Sequence, residues 1–478
     1  MPSNPFCESH LEEATLEWFK ELGYEIVFGP DIAPDGEYKE RKDYSEIILN
    51  DRFKEALVKI NPTLPDYAID EAIREVRIPK NPSLLMNNKA FHKMMTNGID
   101  VQVKQLDSSY KTEKAYVFDF ENFFNNSFMV VNQFTIIEHG VEKRPDAIVF
   151  VNGIPLVIIE LKSASSENVS ISDAFNQLQT YKLKIPSLFT YNSFMVISDG
   201  INAKAGTLTS DEERFMSWRT IDGEDVASHA IPQLEVLIKG MFEMERFLDI
   251  VNHFVLFQSN GSDFTKILAG YHQYHAVNKA IESTQKATSE RGDRRIGVIW
   301  HTQGSGKSLS MVFYTGKLII SKELENPTIV VITDRNDLDD QLYGTFLKSE
   351  DILRSTPVQA TDRFNLRELL NNRTSGGVIF TTIHKFAPPE LIEENLAEKG
   401  IAVSDRKGYI GNDMVLTNRK NVIVIADEAH RSQYGFGAQV VTANNLAETK
   451  FGYARYMHDS LPNASYIGFT GTPVELGR

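Results

Sequence analysis

Apolar side chains recur with helical spacing in the first part of the chain. They predict an amphipathic helix over Leu11–Tyr24, which Gly23 is well placed to end as a C-terminal cap. The same spacing predicts helices near Arg52–Ile60 and Asp66–Arg77. A loop rich in proline, glycine and charge, residues 29–43, follows the first helix. The first segment is therefore predicted to be mainly helical.

From about Tyr116 the apolar residues form short runs rich in β-branched and aromatic side chains. Such runs predict strands, and Asn152-Gly153 between two of them is a strong hairpin turn signal. A helix is predicted to begin at Ser172-Asp173, which are good N-cap residues, and to end near Lys184. The predicted strands are Phe128–Ile137, Ala147–Val151, Leu156–Leu161 and Ser193–Ser198.

In the second half of the chain, strand-like runs alternate with helical patterns. Helices are predicted from Lys307 and from Asp337, and the polar stretch Thr284–Arg295 is predicted to be a loop. Strands separated by helices indicate a parallel sheet of the doubly wound kind. We expect two α/β domains, residues 1–250 and 251–478. The predicted strands are Ile296–Trp300, Thr328–Thr333, Gly377–Thr381, Asn421–Ala426 and Ser465–Thr470.

Composition narrows the class of protein. The 478 residues, 42% hydrophobic and 24% charged, are ordinary for a soluble globular protein. The single cysteine, Cys7, excludes an internal disulfide framework and a multi-thiolate metal site. We see no membrane-spanning run and no signal peptide, so we expect a cytoplasmic protein. Because the net charge is −15, any contact with DNA must come from a local cationic groove or a partner subunit.

One group of polar residues has the composition of a phosphodiester-cleaving centre. Such cleavage needs divalent cations to activate water and neutralise charge, and Mg²⁺ prefers oxygen ligands. We expect Asp146, Glu160 and the carbonyl of Leu161 to bind Mg²⁺, with Lys162 near the attacking water. Glu12 or Glu13 is a further candidate ligand, and an exposed helix glutamate is the alternative.

A helix supplies two more candidates. Gln177 and Tyr181 are four residues apart and share a helix face, from which they can bind DNA phosphate or orient the water.

The hairpin sets a geometric condition on this centre. A regular two-residue turn would pair Asp146 with Ile159, which leaves Asp146 one step from Glu160 and on the opposite face. A shared metal therefore requires a bulge or strong twist, and Pro155 is a plausible cause because it cannot donate to the ladder. A regular hairpin would contradict the assignment.

A second group follows the predicted strand Ile296–Trp300 and has the composition of a nucleotide-binding loop. Its glycines let backbone N–H groups hold phosphates at a helix N-terminus. The lysine is expected to reach the β- and γ-phosphates of ATP, and the serine after it to ligate Mg²⁺. The P-loop pattern asks for glycine where the chain has His301, a minor departure. The loop consists of Thr302, Gln303, Gly304, Ser305, Gly306, Lys307 and Ser308.

Other segments complete the predicted nucleotide site. Asp427 is expected in the Mg²⁺ shell and Glu428 as the base for the attacking water. Gln273 is expected to read the adenine edge, with a helix-surface glutamine as the alternative. Val331–Arg335 and Thr381–Phe386 are expected to contact a DNA strand, and Phe469–Pro473 to couple ATP state to DNA binding.

With these motifs in place, the chain resembles a known family. Trp300–Ser308, Asp427–Gly435 and Phe469–Pro473 look like the motor motifs of the restriction (R) subunits of type I restriction–modification enzymes. Arg144-Pro-Asp146, Glu160-Leu-Lys162 and Gln177-x3-Tyr181 are similar to the nuclease motifs of that family. The resemblance implies an N-terminal restriction-endonuclease-like PD-(D/E)xK α/β domain, followed by a RecA-like, superfamily 2 parallel-sheet helicase domain.

The resemblance also implies an activity and partners. Members move double-stranded DNA with ATP and Mg²⁺ and cleave foreign unmodified DNA, together with modification and specificity subunits. The family continues into a second RecA-like domain, which supplies arginines to the ATP site, and a C-terminal helical region, which docks the partners. This chain stops at Arg478, so we expect it alone to bind ATP weakly and neither to hydrolyse it well nor to translocate.

Two other functions are compatible with part of the pattern. One is a superfamily 2 DNA motor or remodeller with a non-catalytic N-terminal binding domain, against which the complete nuclease set argues. The other is an RNA helicase of the Asp-Glu-Ala-His type, which has no need for that set.

Overall fold

The structure is a computed structural model that describes residues 8–162, 170–261, 263–302, 304–333, 336–371, 373–386, 415–428, 439–443, 446–450 and 453–471. The chain forms two compact units, Met1–Tyr271 and His272–Arg478. The division falls after Tyr271 rather than after residue 250, so the strands within residues 255–268 belong to the first unit.

The first unit combines helices with a mixed sheet. Its helices are α1 (Glu8–Glu21), α2 (Asn50–Ile60), α3 (Asp66–Arg77), α4 (Leu84–Asn97), α5 (Ile171–Lys184), α6 (Pro186–Phe189), α7 (Gln233–Met241) and α8 (Met244–His253). Its strands are β1 (Glu25–Phe28), β2 (Ile99–Lys104), β3 (Tyr110–Ala115), β4 (Phe128–Asn132), β5 (Ile136–Glu138), β6 (Val141–Lys143), β7 (Ala147–Val151), β8 (Ile154–Leu161), β9 (Phe194–Ser198), β10 (Ala203–Gly206), β11 (Val255–Asn260) and β12 (Asp263–Leu268).

The central sheet of this unit has the order β1-β4-β7-β8-β9-β10. The β1–β4 and β8–β9 pairs are parallel, and the remaining neighbours are antiparallel. Every residue of β7, β8 and β9 is buried, so both faces of the sheet centre are covered. Helix α5 packs against β8 and β9, and α1 packs against β1 and β8.

The turn between β7 and β8 confirms the prediction from Asn152-Gly153. Both residues have positive φ, 53° and 76°, as a type I′ hairpin turn requires. A Cβ at position 153 would lie 2.6 Å from the carbonyl oxygen of Leu49, so the close approach also requires glycine.

Helix α5 begins differently from the prediction. Ser170, rather than Ser172, is the N-cap, and it forms a capping box with Asp173. The predicted strand Phe128–Ile137 divides into β4 and β5, with Gln133 between them at a φ of 54°. The predicted helices Arg52–Ile60 and Asp66–Arg77 are confirmed as α2 and α3.

The second unit is built on a parallel sheet, as its alternating pattern predicted. Its helices are α9 (Tyr271–Thr288), α10 (Lys307–Ile320), α11 (Asn336–Leu347), α12 (Glu350–Leu353), α13 (Arg363–Asn371) and α14 (Tyr453–Ser460). Its strands are β13 (Arg295–Trp300), β14 (Thr328–Thr333), β15 (Val358–Gln359), β16 (Val378–Thr382), β17 (Val422–Asp427), β18 (Gln439–Ala443), β19 (Leu446–Lys450) and β20 (Ser465–Thr470).

The main sheet of the second unit has the order β13-β20-β17-β14-β16-β15, and all its strand pairs are parallel. Val330, Ile332 and Leu366 belong to its hydrophobic core. The predicted loop Thr284–Arg295 is wrong at its start, because α9 continues to Thr288. Among the described residues, no helix is long and apolar enough to cross a membrane.

Candidate active sites

The β7–β8 hairpin contains the bulge that the first candidate site requires. Phe150 faces Pro155, whereas Val149 faces Val157, so Leu156 is an extra residue in β8. The bulge follows directly after the proline, where a ladder donor is missing. This predicted irregularity is therefore confirmed.

The bulge brings the two acidic residues into register. Beyond it Ala147 pairs with Ile159, so the next position, Asp146, comes opposite Glu160 rather than opposite Ile159. Asp146 Oδ2 accepts a hydrogen bond from the backbone N–H of Leu161 at 2.7 Å. Both carboxyl groups consequently lie at the same end of the hairpin.

Glu160 is a fully buried carboxyl group with 0% exposure. Lys162 Nζ donates to Glu160 Oε1 at 2.8 Å and to the carbonyl oxygen of Leu161 at 3.0 Å. Glu160 Oε2 is buried and has no hydrogen-bond partner within the described ranges. Burial raises the pKa of Glu160 to about 8, the charge of Asp146 adds to the rise, and Lys162 opposes it.

These donors fit a hard divalent cation. Ionisation of Glu160 would leave a buried, unsatisfied carboxylate oxygen, which needs a positive partner beyond Lys162. Oxygen is the ligand type that Mg²⁺ prefers. In the part of the chain that is described, no group of three or more His, Cys, Asp or Glu residues could hold a metal ion. Asp146 and Glu160 are the two carboxyl groups that the β7–β8 hairpin brings to this end of the sheet.

Gln177 and Tyr181 meet on one face of α5, as their spacing predicted. Gln177 Nε2 donates to the Tyr181 hydroxyl at 2.6 Å, and that hydroxyl donates to the carbonyl oxygen of Arg144 at 3.3 Å. Burial and the nearby charge of Glu160 raise the pKa of Tyr181, so the phenol keeps its proton at neutral pH. Helix α5 is thereby tied to the Arg144–Asp146 segment.

An open cleft of about 670 Å³ lies against these residues. Its cationic side chains can attract a phosphate backbone, whose binding is largely electrostatic. The cleft is lined by Glu142, Lys143, Arg144, Lys162, Asp173, Asn176, Gln177, Thr180 and Tyr181.

Glu12 is half-buried rather than exposed on α1. Asn132 Nδ2 donates to Glu12 Oε1 at 2.8 Å, and Gln133 Nε2 donates to Glu12 Oε2 at 3.0 Å. The backbone N–H of Gln133 in turn donates to the carbonyl oxygen of Asp146 at 3.1 Å. Glu13 is exposed.

The second candidate site lies where neighbouring parallel strands end. Trp300 at the end of β13 pairs with Thr470 of β20, and Asp427 at the end of β17 pairs with Phe469. Because carboxyl ends of parallel strands meet at one sheet edge, the glycine-rich loop and Asp427 come together there.

Two glycines of the loop adopt a backbone conformation that favours glycine. Gly304 and Gly306 have φ values of 83° and 85°, and Gly306 is the N-cap of α10. Lys307 Nζ forms an ion pair with Asp427 Oδ1 at 2.7 Å and donates a hydrogen bond to Glu428. Burial lowers the pKa of Lys307, but its bonds to the two carboxylates outweigh this and raise it.

Gln273 contacts the loop backbone. It is 5% exposed, and its Nε2 donates to the carbonyl oxygen of Gly306 at 3.1 Å. A Cβ at Gly306 would lie 2.6 Å from that nitrogen. The alternative of a helix-surface glutamine is therefore wrong, while the adenine contact stays a prediction.

Sequence reasoning gave no role to two histidines beside this loop. His272 Nε2 lies 2.9 Å from the carbonyl oxygen of Ser305, and His301 Nδ1 lies 3.1 Å from Ser305 Oγ. The one indication in the sequence is that His301 stands where the loop pattern has glycine.

Some predicted site residues lie outside the described residues. They include Gln303, Asp334, Arg335, His430, Thr472 and Pro473. The predicted DNA-contact segments begin at the ends of β14 and β16, on the same sheet edge as the glycine-rich loop.

Comparison with known proteins gives the class of each half. Residues 5–214 match the family described as type I restriction enzyme R protein N terminus. Residues 272–478 match the SWI2/SNF2 ATPase family. A restriction-enzyme N-terminal region is thus joined to an ATPase region in one chain.

Over nearly its whole length, the chain is similar to endonuclease subunits of type I restriction enzymes. It is 44% identical over 98% of its length to the type I restriction enzyme HindI endonuclease subunit of Haemophilus influenzae. It is 36% identical over 97% of its length to the putative type I restriction enzyme MjaIXP endonuclease subunit of Methanocaldococcus jannaschii. The chain spans 43% and 42% of the lengths of these relatives.

Proposed function

We propose that this chain cleaves DNA at its first site and binds ATP at its second, as part of the endonuclease and translocase subunit of a type I restriction enzyme. The observation that carries the proposal is the β8 bulge, which sets Asp146 opposite Glu160, the residue that accepts a hydrogen bond from Lys162. A hairpin that only stabilised the sheet would not need a buried carboxyl group with an unsatisfied oxygen.

At the first site, Asp146 and Glu160 would hold Mg²⁺, with the carbonyl of Leu161 as a further candidate ligand. When bound, the ion supplies charge neutralisation and activates water. Lys162 holds its ammonium group at the edge of the Glu160 carboxyl, where it faces developing negative charge. Gln177 and Tyr181 keep neutral hydrogen-bonding groups beside the cleft for a DNA phosphate or the attacking water. In this proposal the first unit, Met1–Tyr271, contains a PD-(D/E)xK domain.

At the second site, the loop Thr302–Ser308 would bind the phosphates of ATP. Lys307 would move from Asp427 and Glu428 to the β- and γ-phosphates. Both carboxylates would then be available for metal binding and for orienting water. Asp427 and Ser308 would then hold Mg²⁺, Glu428 would orient the attacking water, and Gln273 would contact adenine. The second unit, His272–Arg478, would be the first RecA-like motor domain.

The partners follow from the names of the relatives, which are endonuclease subunits of type I restriction enzymes. We propose double-stranded DNA as substrate and modification and specificity subunits as protein partners, in the cytoplasm. The acidic net charge of −15 fits a subunit that relies on partners for much of its hold on DNA.

Cleavage of plasmid DNA tests the first site. The chain, assembled with its modification and specificity subunits, is assayed with Mg²⁺ and ATP as wild type, Glu160→Gln and Asp146→Asn. We expect both substitutions to reduce cutting to the level seen with a chelator. The matched control is Glu142→Gln, which removes an exposed carboxylate from the same cleft and should cut like wild type. Cutting by Glu160→Gln at the wild-type rate would refute the assignment and favour a non-catalytic N-terminal domain.

A further inference from the structure

Two imidazole rings from different elements hold the same residue of the glycine-rich loop. His272, at the start of α9, contacts the main-chain oxygen of Ser305 at 2.9 Å. His301, immediately after β13, contacts the hydroxyl of Ser305 at 3.1 Å. The ring centroids of the two histidines are 6.0 Å apart. Ser305 is therefore fixed through both its backbone and its side chain.

The hydrogen-bond network assigns the proton on each ring. A carbonyl oxygen only accepts, so His272 Nε2 must carry the proton that it donates to Ser305. The hydroxyl of Ser305 donates its one proton to the carbonyl oxygen of Thr302 at 2.7 Å. His301 Nδ1 must therefore be the donor to Ser305 Oγ.

The surroundings of His301 keep it in this neutral form. The ring is 5% exposed, and its second nitrogen, Nε2, is buried without a hydrogen-bond partner in the described part of the chain. A proton on Nε2 would add a charge and an unsatisfied donor to a buried place. Burial, reinforced by His272 and Lys307, accordingly lowers the pKa of His301 to about 4.

Such fixing matters because the loop has little intrinsic rigidity. Gly304 and Gly306 both occupy the left-handed region, and glycine loses more conformational freedom on ordering than any other residue. If a loop becomes ordered only when its ligand binds, the entropy lost in ordering reduces the affinity for that ligand. A glycine at position 301, as in the usual loop pattern, would offer no side chain to hold Ser305.

We infer that His272 and His301 are positioning residues that hold the phosphate-binding loop, with Gly304 and Gly306 in the left-handed region, before a nucleotide arrives. Gln273, the neighbour of His272, donates to Gly306 and continues the same support along the loop. The inference rests on the proposed nucleotide-binding function of this site, and it concerns the preorganisation of the loop rather than its chemistry.

Paired substitutions separate this role from simple packing. Asparagine can place an amide N–H where His301 Nδ1 lies, whereas glutamine reaches the place of the other ring nitrogen. The opposite holds at His272, where glutamine mimics the donating Nε2 and asparagine does not. His301→Asn and His272→Gln thus preserve the donors, and His301→Gln and His272→Asn remove them.

The affinity of the full chain for methylanthraniloyl-ADP with Mg²⁺ is measured by fluorescence titration. We expect His301→Gln and His272→Asn to bind about fivefold more weakly, the loss that accompanies one net hydrogen bond. His301→Asn and His272→Gln should bind within about twofold of wild type. Amide hydrogen exchange in the nucleotide-free chain should be faster at residues 304–307 only in the two weak binders.

The outcomes are distinct. Equal impairment of both variants at either position would show that the rings only fill space, and unchanged binding and exchange in all four would show that the loop needs no support. Either result overturns the inference. Lys307→Ala serves as the reference for the nucleotide site itself. If that variant binds like wild type, the proposed nucleotide function fails, and the exchange rates of the nucleotide-free chain still decide whether the histidines hold the loop.

Discussion

The buried carboxyl group of Glu160 makes the stability of the first unit depend on pH. Its pKa is raised from 4.5 to about 8, mainly by burial. Because the folded-state pKa lies above the unfolded value, the stabilising contribution is complete below pH 4.5 and is lost as the pH rises through about 8. Each pH unit inside this window removes about 1.4 kcal/mol.

Glu160→Gln removes the titrating group but keeps the shape and an acceptor for Lys162. In metal-free buffer, the free energy of unfolding of this variant should rise relative to wild type by about 3 kcal/mol between about pH 5 and about pH 7.5. Urea unfolding can be followed by tryptophan fluorescence, to which the first unit contributes Trp18 and Trp218, the latter 4% exposed. Glu142→Gln, with an exposed carboxylate in the same cleft, should run parallel to wild type. A constant difference between wild type and Glu160→Gln across this range would refute the burial argument.

Two further predictions concern the framework of the first site. Gly153→Ala should destabilise the first unit by more than about 1 kcal/mol, because its φ is 76° and the added Cβ would lie 2.6 Å from Leu49 O. Gly140→Ala, with a φ of 77° but nothing within 4 Å of its Cβ, should cost less, and equal losses in urea unfolding would contradict the steric argument. Tyr181→Phe should slow DNA cleavage about tenfold while leaving the free energy of unfolding within about 1.5 kcal/mol of wild type. An unchanged cleavage rate would show that the Tyr181 hydroxyl, which accepts a hydrogen bond from Gln177, has no part in cleavage.

The strands and the hairpin turn could be predicted because their signals are local. Runs of valine and isoleucine mark β7, β8, β14 and β17 within one or two residues of their observed bounds. Helix α9 was not predicted from the sequence, because several of its buried positions carry polar or small residues. Gln273, Thr284 and Ala287 face inward there, so the apolar periodicity is weak. Thr284, for example, is satisfied inside by a bond to the Tyr314 hydroxyl, a distant residue that the local pattern cannot reveal.

In the candidate sites, too, features that depend on residues distant in the sequence could not be predicted. The need for a bulge in β8 followed from side-chain alternation, and Pro155 indicated its place. The complete burial of Glu160 could not be predicted from the sequence, because neighbouring strands and helices cover the side chain as well as β8. The contacts of His272 and His301 with Ser305 were equally out of reach, since they depend on the packing of α9 against the loop.

The pairing of Lys307 with Asp427 and Glu428 has a consequence for the turnover of the nucleotide site. An ammonium group left alone in a partly buried site would cost about 3–5 kcal/mol. Here Asp427 and Glu428, at the end of β17, pair with the ammonium group. In the proposed cycle, departure of the phosphates would therefore exchange one counter-ion for another and leave no unpaired charge. A ligand that binds through Lys307 must compete with Asp427 and Glu428 for its ammonium group. In the proposed nucleotide site, this competition would favour a ligand by the number of negative charges that it brings, and would therefore favour a triphosphate over a diphosphate.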